Sequence, residues 1–287
     1  MSGLGLVPWR DSALSLMRFS LNVSILFQEL PYLERFSAAR EAGFDAVETW
    51  WHRTEDPDAV AAAITDAGVA VVVMNADAGD MPAGDRGLLS DPNRESEFAE
   101  SMPVTIDLAR RVGAHNMNAL IGHAIPGMAR TEQLALATAN LQRLAKATEP
   151  HGITVLIEAV NTIENGPYLI STTEQAETLR AMVDRPNVRL LYDAYHMQRM
   201  EGDLVTTLRR HICRIGHVQI ADSPARQQPG TGEIAYDFVL ARLHELGYTG
   251  YVGLEYKASP DGTLASLSWA KRQRQAADGS TRPSTPR

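Results

Sequence analysis

Residues 69–75 read VAVVVMN, and this stretch decides the class of fold. Its residues are β-branched and almost continuously apolar, which is typical of a strand buried on both faces in a parallel sheet. Residues 56–66, just before it, have a helical pattern that Gly68 ends, and residues 44–49 (FDAVET) predict another short strand. A strand, a helix and a second strand therefore follow one another, as they do in a βαβ unit.

The same alternation extends in both directions along the chain. Residues 19–25 (FSLNVSI) predict a strand, and a helical stretch over 31–42 follows it. After the central strand, a loop rich in Gly, Asp and Pro over 76–93 leads into a long helix that ends at Gly113, and another helix is predicted over 131–149. The remaining predicted strands lie at 115–121, 153–158, 188–193, 215–220 and 251–255.

Eight strand–helix units without an obvious linker favour a (β/α)₈ TIM barrel of the α/β class over two packed domains. A doubly wound sheet is the alternative, but the turn at 24–31 lacks the GxGxxG that binds dinucleotides in that fold. We expect the barrel to occupy residues 18–270. Residues 1–17 would be an N-terminal extension, and residues 271–287, which are polar and poor in apolar side chains, a disordered tail.

The composition is that of a globular protein and disfavours several functional classes. The 287 residues include 27 Lys and Arg against 35 Asp and Glu, so the formal net charge of −8 disfavours a broad nucleic-acid surface. Cys213 is the single cysteine, which rules out an intrachain disulfide. No apolar run is long enough to span a bilayer, and the N-terminal residues lack the basic start of a secretory signal. We therefore expect a cytoplasmic protein that binds neither membranes nor nucleic acids.

Oxygen-bearing side chains stand at the ends of the last four predicted strands. These residues are Glu158 in VLIE, Asp193 in LLYD, Gln219 in HVQI and Glu255 in VGLE. In a barrel the carboxyl ends of the strands meet at one rim, and strand alternation points all four side chains inward. Three carboxylates so close together require a cation between them, so the set predicts one divalent metal ion. Oxygen ligands favour Mg²⁺ or Mn²⁺, with Co²⁺ and Zn²⁺ as alternatives.

Each of these residues has a structural interpretation when it is taken singly. A carboxylate that closes a strand is more often a helix cap or half of a salt bridge than a metal ligand. The prediction of a metal site therefore rests on all four residues occurring at equivalent strand-end positions, and not on any one of them alone.

Other polar residues near the same rim suit a small polar substrate. Glu48 and Asn75 end the second and third strands, and His123 follows the fourth. His196 lies just above the end of the sixth strand, and Lys257 lies two positions beyond the end of the eighth. A structural role is equally compatible with each of them, for example a hydrogen-bonded histidine or a turn-forming asparagine.

Longer stretches of the sequence resemble the hydroxypyruvate isomerase family, within the xylose-isomerase-like barrels. The resemblance extends from residue 18 to about residue 270, and the strings YHMQRMEG (195–202) and PGTGEI (229–234) are its most specific parts. It implies a TIM barrel with one divalent metal held by the four strand-end residues named above. It also implies that Glu158 and Glu255 form the acid–base pair and that His196 binds the substrate.

The activity that the resemblance implies is the interconversion of hydroxypyruvate and tartronate semialdehyde through an enediolate. The substrate carboxylate would need a cation, for which Lys257, Arg226 and Arg86 are the candidates, in that order. A 2-oxo-tetronate isomerase and a ketose 3-epimerase are alternatives on the same scaffold, although related epimerases carry histidine where this chain has Gln219.

Two further classes are less compatible with the sequence. A phosphodiesterase of the endonuclease IV type needs a multi-zinc cluster with several histidines and a basic DNA groove, neither of which the pattern predicts. A non-catalytic barrel that binds a small acid would not need all four ligands. The expected partner is thus a small hydroxy-oxo acid or a short sugar. A homo-oligomer is compatible with the outer helices, although no single stripe of residues identifies an interface.

Overall fold

The computed structural model describes residues 17–270, and they form a closed barrel of eight parallel strands surrounded by helices. Each strand pairs with the next along the chain, and the first pairs with the last, so the predicted TIM barrel is confirmed. The strands are β1 (Arg18–Asn22), β2 (Ala46–Thr49), β3 (Ala70–Asn75), β4 (Asn116–Asn118), β5 (Thr154–Glu158), β6 (Val188–Asp193), β7 (Ile215–Ile220) and β8 (Tyr251–Leu254).

The α-helices follow the strands around the barrel, and β5 and β6 are each followed by two of them. They are α1 (Arg35–Glu41), α2 (Pro57–Ala67), α3 (Glu95–Arg111), α4 (Arg130–Thr148), α5 (Thr162–Asn165), α6 (Thr173–Val183), α7 (Ala194–Met200), α8 (Leu204–His211), α9 (Tyr236–Glu245) and α10 (Thr263–Ser266).

The ends of α2 illustrate why helix-starting and helix-ending residues in the sequence predicted the helices well. Asp56 caps the helix by accepting a hydrogen bond from the backbone N–H of Asp58, and Pro57 occupies the first turn. The helix ends at Gly68, whose φ of 63° lies in the left-handed region that glycine adopts without a steric penalty. Local chemistry alone therefore fixes both ends of this element.

Several predicted boundaries differ from the observed ones; the first strand, for example, was expected at 19–25 and spans Arg18–Asn22. The fourth strand was expected at 115–121 but spans only Asn116–Asn118, because the chain beyond it turns away to form isolated bridges with Gly87 and Tyr168. The helix expected at 31–42 begins as a 3₁₀ turn, Tyr32–Glu34, and becomes α-helical only at Arg35. Except for Met17, the predicted N-terminal extension lies outside the described residues, and so does the predicted tail over 271–287.

Inside the barrel, an apolar layer supports the polar rim. Leu156 and Leu191, two positions before Glu158 and Asp193, belong to a small buried cluster with Ala46, Val72 and Val73. Since strand side chains alternate, the residue two positions further along points to the same face, into the barrel. This layer holds the strand-end side chains at the mouth of the barrel. In the described part of the chain, no helix combines the length and the apolar character that crossing a membrane requires.

Candidate active site

A cavity of about 540 Å³ opens at the carboxyl ends of the strands, the end of a TIM barrel where active sites lie. Part of its lining comes from β5, α7, the loop after β7 and the residue that follows β8, and consists of Glu158, His196, Arg226 and Glu255. Another part comes from the loops that follow β2 and β3, and includes Trp50, Trp51, Arg53 and Arg86. The cavity therefore joins the predicted metal site to a surface of different chemistry.

Shared neighbours bring the three predicted carboxylates together. His196 Nε2 lies 3.7 Å from Glu158 Oε1 and 3.5 Å from Asp193 Oδ2. Arg226 Nη2 lies 3.8 Å from Asp193 Oδ2 and 3.0 Å from Glu255 Oε1. Each of the three carboxylates is at least nine-tenths buried. One guanidinium thus faces a buried cluster that carries up to three negative charges.

The surroundings of these carboxylates favour their protonated forms. Burial, followed by the charge of Asp193, raises the pKa of Glu158 to about 8. Burial also raises the pKa of Asp193, and it raises the pKa of Glu255 well above its usual range, although the charge of Arg226 opposes both shifts. The protein alone therefore neutralises the negative charge of the cluster incompletely, and a bound cation would neutralise it further.

Three buried oxygen atoms at this site, Asn118 Oδ1, Asp193 Oδ2 and Gln219 Oε1, have no hydrogen-bond partner among the described residues. The other oxygen of the aspartate caps α7, since Oδ1 accepts hydrogen bonds from the backbone N–H groups of Tyr195 at 2.8 Å and His196 at 3.4 Å. Buried acceptors without partners are rare in proteins and need an explanation.

The donor set fits a divalent metal ion. Carboxylate and amide oxygens are the ligands of hard divalent cations, and the unpartnered oxygens of Asp193 and Gln219 are acceptors that an ion would satisfy. Glu158 and Glu255 would supply the remaining oxygens, so these residues fit a hard divalent ion by their chemistry.

His196 lies closer to these carboxylates than the sequence indicated. One ligand atom from each of Glu158, Asp193 and His196 lies within 4.8 Å of the other two, so this trio could also hold an ion. However, His196 Nδ1 lies 2.6 Å from Asn161 Nδ2, and an amide nitrogen can only donate. Nδ1 is then the acceptor, and the ring carries its hydrogen on Nε2. Because burial holds its pKa well below the usual range, His196 is a neutral donor facing the carboxylates.

Arg226 reaches the site from the loop between β7 and α9. The carboxylate of Asp222 organises this loop by accepting hydrogen bonds from the backbone N–H groups of Ser223, Gly230, Thr231, Gly232 and Ile234. Arg226 itself adopts a left-handed backbone conformation, with φ of 55°, which the surrounding loop must stabilise. Its guanidinium also lies 5.4 Å from the ring centre of Tyr195.

The remaining predicted substrate residues lie in different places. Asn75 and Arg86 line the cavity. His123 does not, and its Nε2 lies 2.7 Å from the backbone oxygen of Asn165. Lys257 does not line it either. Its side chain is 59% exposed, and its Nζ lies 3.5 Å from Glu164 Oε1. Glu48 is buried beneath the cavity and contacts Gln219 rather than the open space.

Sequence reasoning missed Asn118 and Asn161. Asn118 Nδ2 donates a 2.7 Å hydrogen bond to Glu158 Oε2, and Asn161 orients the ring of His196. The signal for Asn118 was available, since it is a polar residue at a strand end, but the fourth strand was expected to continue to residue 121. Asn161 stands in the loop after β5, where periodicity gives no information about side-chain direction.

Comparison with known proteins agrees with the fold. The family profile of the xylose isomerase-like TIM barrels matches residues 36–273, and the chain belongs to that family. The hydroxypyruvate isomerase of Escherichia coli is 37% identical over 88% of this chain and 98% of its own length. The 2-oxo-tetronate isomerase of Cupriavidus necator is 34% identical over 88% of this chain and 97% of its own. These relatives confirm the resemblance and the prediction of an isomerase.

One solved structure carries a different name. A crystal structure from Brucella melitensis, named AP endonuclease, family 2, is 35% identical, with a TM-score of 0.85 over 89% of this chain and 98% of its own. It supports the barrel described above, while its name denotes a reaction on nucleic acid.

Proposed function

We propose that this protein is a metal-dependent isomerase that interconverts hydroxypyruvate and tartronate semialdehyde by proton transfer between adjacent carbons. The observation that carries the proposal is the buried ligand set at the cavity, where Asp193 Oδ2 and Gln219 Oε1 have no partner among the described residues. The name of the E. coli relative supports the choice of substrate. Glu158, Asp193, Gln219 and Glu255 would hold the ion.

A bound divalent ion supplies Lewis-acid stabilisation for the negative charge that develops on the substrate oxygens. Glu158 and Glu255 move the proton, one removing it from a carbon and the other returning it to the neighbouring carbon. They suit this role because they line the same cavity from β5 and from the residue after β8. Asn118 fixes one oxygen of Glu158, and Arg226 fixes one oxygen of Glu255.

His196 would donate a hydrogen bond to a substrate oxygen through Nε2. Asn161 holds the ring in the tautomer that leaves this hydrogen directed toward the acidic cluster. A neutral donor is suitable here because it stabilises a developing negative oxygen without competing with the carboxylates for their protons.

Arg86 is the best-placed residue to bind the substrate carboxylate. Arg86 lines the cavity, and among the described residues its guanidinium donates to neutral oxygens, namely Asn165 Oδ1 and the backbone carbonyls of Met81 and Asp85. It forms no ion pair with a carboxylate of residues 17–270, so its charge is available to a ligand. Arg226, by contrast, already faces Glu255, and Lys257 lies outside the cavity.

A longer 2-oxo acid is the second candidate substrate, and the cavity is large enough to hold it. A three-carbon acid fills at most about 200 Å³ if each of its non-hydrogen atoms takes the ~30 Å³ of one water. The cavity of about 540 Å³ leaves room beyond that volume, towards Trp50 and Trp51. The name of the C. necator relative is consistent with a four-carbon substrate.

Cleavage of nucleic acid, the reaction that the name of the Brucella protein denotes, is not favoured by this site. The chain has a formal net charge of −8, and the cavity carries buried carboxylates where a phosphate backbone would have to approach. The predicted ligand set consists of oxygens, whereas a zinc cluster for phosphodiester cleavage would need several histidines.

The decisive experiment removes and restores the metal. Protein treated with chelator is assayed after addition of Mg²⁺, Mn²⁺ or Co²⁺ with hydroxypyruvate, a 2-oxo-tetronate and a free ketose, and exchange of the substrate C–H with D₂O is followed by NMR. We expect isomerisation and exchange to disappear on chelation and to return with metal, with the acids preferred over the ketose. Activity that survives complete removal of the metal would overturn the proposal.

A further inference from the structure

A further buried carboxylate, that of Glu48, lies beneath the proposed metal site. It ends β2 and is 1% exposed. Its Oε1 accepts hydrogen bonds from Ser20 Oγ at 2.5 Å and from His217 Nε2 at 2.7 Å, and its Oε2 accepts one from Gln219 Nε2 at 2.7 Å. Unlike Asp193, this carboxylate has hydrogen-bond partners on both oxygens.

The barrel leaves a passage for this side chain. Gly253 of β8 is the Cα partner of Ser20 on β1 and of Gln219 on β7. A Cβ atom at Gly253 would lie only 2.1 Å from Glu48 Oε1, so any larger residue would force the carboxylate away. Glu48 therefore crosses from β2, over the glycine on β8, to reach β7.

The contact determines which way the Gln219 amide faces. Gln219 Nε2 donates the 2.7 Å hydrogen bond to Glu48 Oε2, so the NH₂ group of the amide faces Glu48 and the amide oxygen faces away. That oxygen is buried and has no partner among residues 17–270. Gln219 is also the Cα partner of Asp193, whose Oδ2 is unpartnered as well.

We propose that Glu48 is a positioning residue that orients the Gln219 oxygen toward the metal and thereby sets the affinity for the ion. The proposal rests on the function proposed above, because it requires an ion at this site. Residues that orient a metal ligand typically contribute about 10–100-fold to metal affinity. Glutamine needs such support more than a carboxylate does, since only one end of its amide can bind a cation.

The test is calorimetric titration of chelator-treated protein with Mn²⁺, comparing the wild type with Glu48→Gln. The variant has nearly the same shape but can present either a donor or an acceptor to Gln219, so the amide is no longer held in one orientation. We expect the Kd for Mn²⁺ to rise about 10–100-fold. Ser20→Ala is the matched control, because it removes a donor to the same carboxylate and leaves the contact with Gln219 intact; its Kd should change less than about 3-fold.

A double variant separates this role from a merely structural one. If Glu48 acts through Gln219, Glu48→Gln should not weaken Mn²⁺ binding further in a Gln219→Met background. An unchanged Kd in Glu48→Gln, or an equal loss in both backgrounds, would overturn the inference. Absence of binding by the wild type would instead overturn the proposed function itself. Should Glu48→Gln not fold, Glu48→Asp withdraws the carboxylate from Gln219 and carries the same expectation.

Discussion

The cavity has two walls of opposite character. The acidic wall consists of Glu158, His196 and Glu255, which line the cavity, together with Asp193 and Gln219, which are buried beside them. All five lie on or close to the carboxyl ends of β5–β8. The aromatic wall consists of Trp50, Trp51, Arg53 and Arg86, all in loops that follow β2 and β3. The acidic side chains are fixed by strands and by short hydrogen bonds, while the aromatic wall depends on how two loops fold.

This difference indicates that the two walls have different roles, one in catalysis and one in substrate recognition. The acidic wall carries unpartnered oxygens and carboxylates whose pKa is raised, features that suit proton transfer and metal binding. The aromatic wall offers apolar area and the charge of Arg86, which suit recognition of a substrate. Arg53 does not offer a free charge, because Asp77 holds it at 2.7 Å and Glu97 at 2.5 Å. Changes in the two walls should therefore affect different kinetic constants.

The largest effect should follow from Glu158→Gln. The amide keeps the shape of the side chain but cannot accept the proton, so we expect kcat to fall by about 10²–10⁴-fold or more. Exchange of the substrate C–H with D₂O, measured by NMR, should be lost, while the circular dichroism spectrum stays unchanged. Turnover within about 10-fold of the wild type would contradict the role given to the acidic wall.

Removing and restoring the metal should show how much ion binding at the acidic wall stabilises the fold. An ion that binds only the folded state stabilises it by about 2.7 kcal/mol at a free concentration 100 times its Kd. We expect the Tm of the wild type to rise on addition of Mn²⁺ to chelated protein. Asp193→Asn, which weakens one ligand, should abolish most of that rise. An equal rise in both proteins would indicate that the ion binds elsewhere.

A smaller effect on substrate binding should separate the aromatic wall from the acidic one. Arg86→Gln removes a charge-assisted contact worth about 1.5–3 kcal/mol, so KM for an acid substrate should rise about 10–150-fold. Lys257→Gln, which lies outside the cavity, is the control and should leave KM nearly unchanged. A larger effect from Lys257 would reverse the assignment and restore the order expected from sequence.

The smallest predicted effect concerns stability in acid. Burial, followed by the charge of Arg35, lowers the pKa of His52 to about 4, below the ordinary value of about 6.5. The neutral ring therefore stabilises the fold above pH 6.5, and that stabilisation is lost as the pH falls from 6.5 towards 4. Since the ring is partly exposed, we expect a loss of about 1–2 kcal/mol.

Urea unfolding of the wild type and His52→Gln at pH 7 and pH 4.5 tests this expectation. Gln offers a nitrogen to Ser24, as His52 Nε2 does at 2.9 Å, but it cannot gain a proton. The variant should lose less stability between the two pH values than the wild type. The exposed His151, replaced in the same way, is the control. Identical pH dependence in wild type and His52→Gln would show that the acid sensitivity lies elsewhere.

The acidic wall could be predicted from sequence because its residues lie on strands. Strand periodicity fixes both the level and the face of a side chain, so Glu158 and Asp193 could be placed on the interior face from spacing alone. The same rule failed for Asn118, since a three-residue strand gives too short a pattern to locate its end. Strand periodicity also could not distinguish Glu48 from the residues that line the cavity, because Glu48 and those residues all lie at strand ends and point inward.

The sequence by itself determined the barrel and the strand-end oxygens, because short apolar runs and helix-ending glycines are local signals. The tertiary structure alone decided which charges are available to the cavity: Lys257 faces Glu164 outside it, while Arg86 lines it. It also decided that Gly253 leaves space for Glu48 to reach Gln219. The physical reason is that ion pairs and the space around a side chain involve residues far apart in the chain. Those residues come together only when the barrel closes.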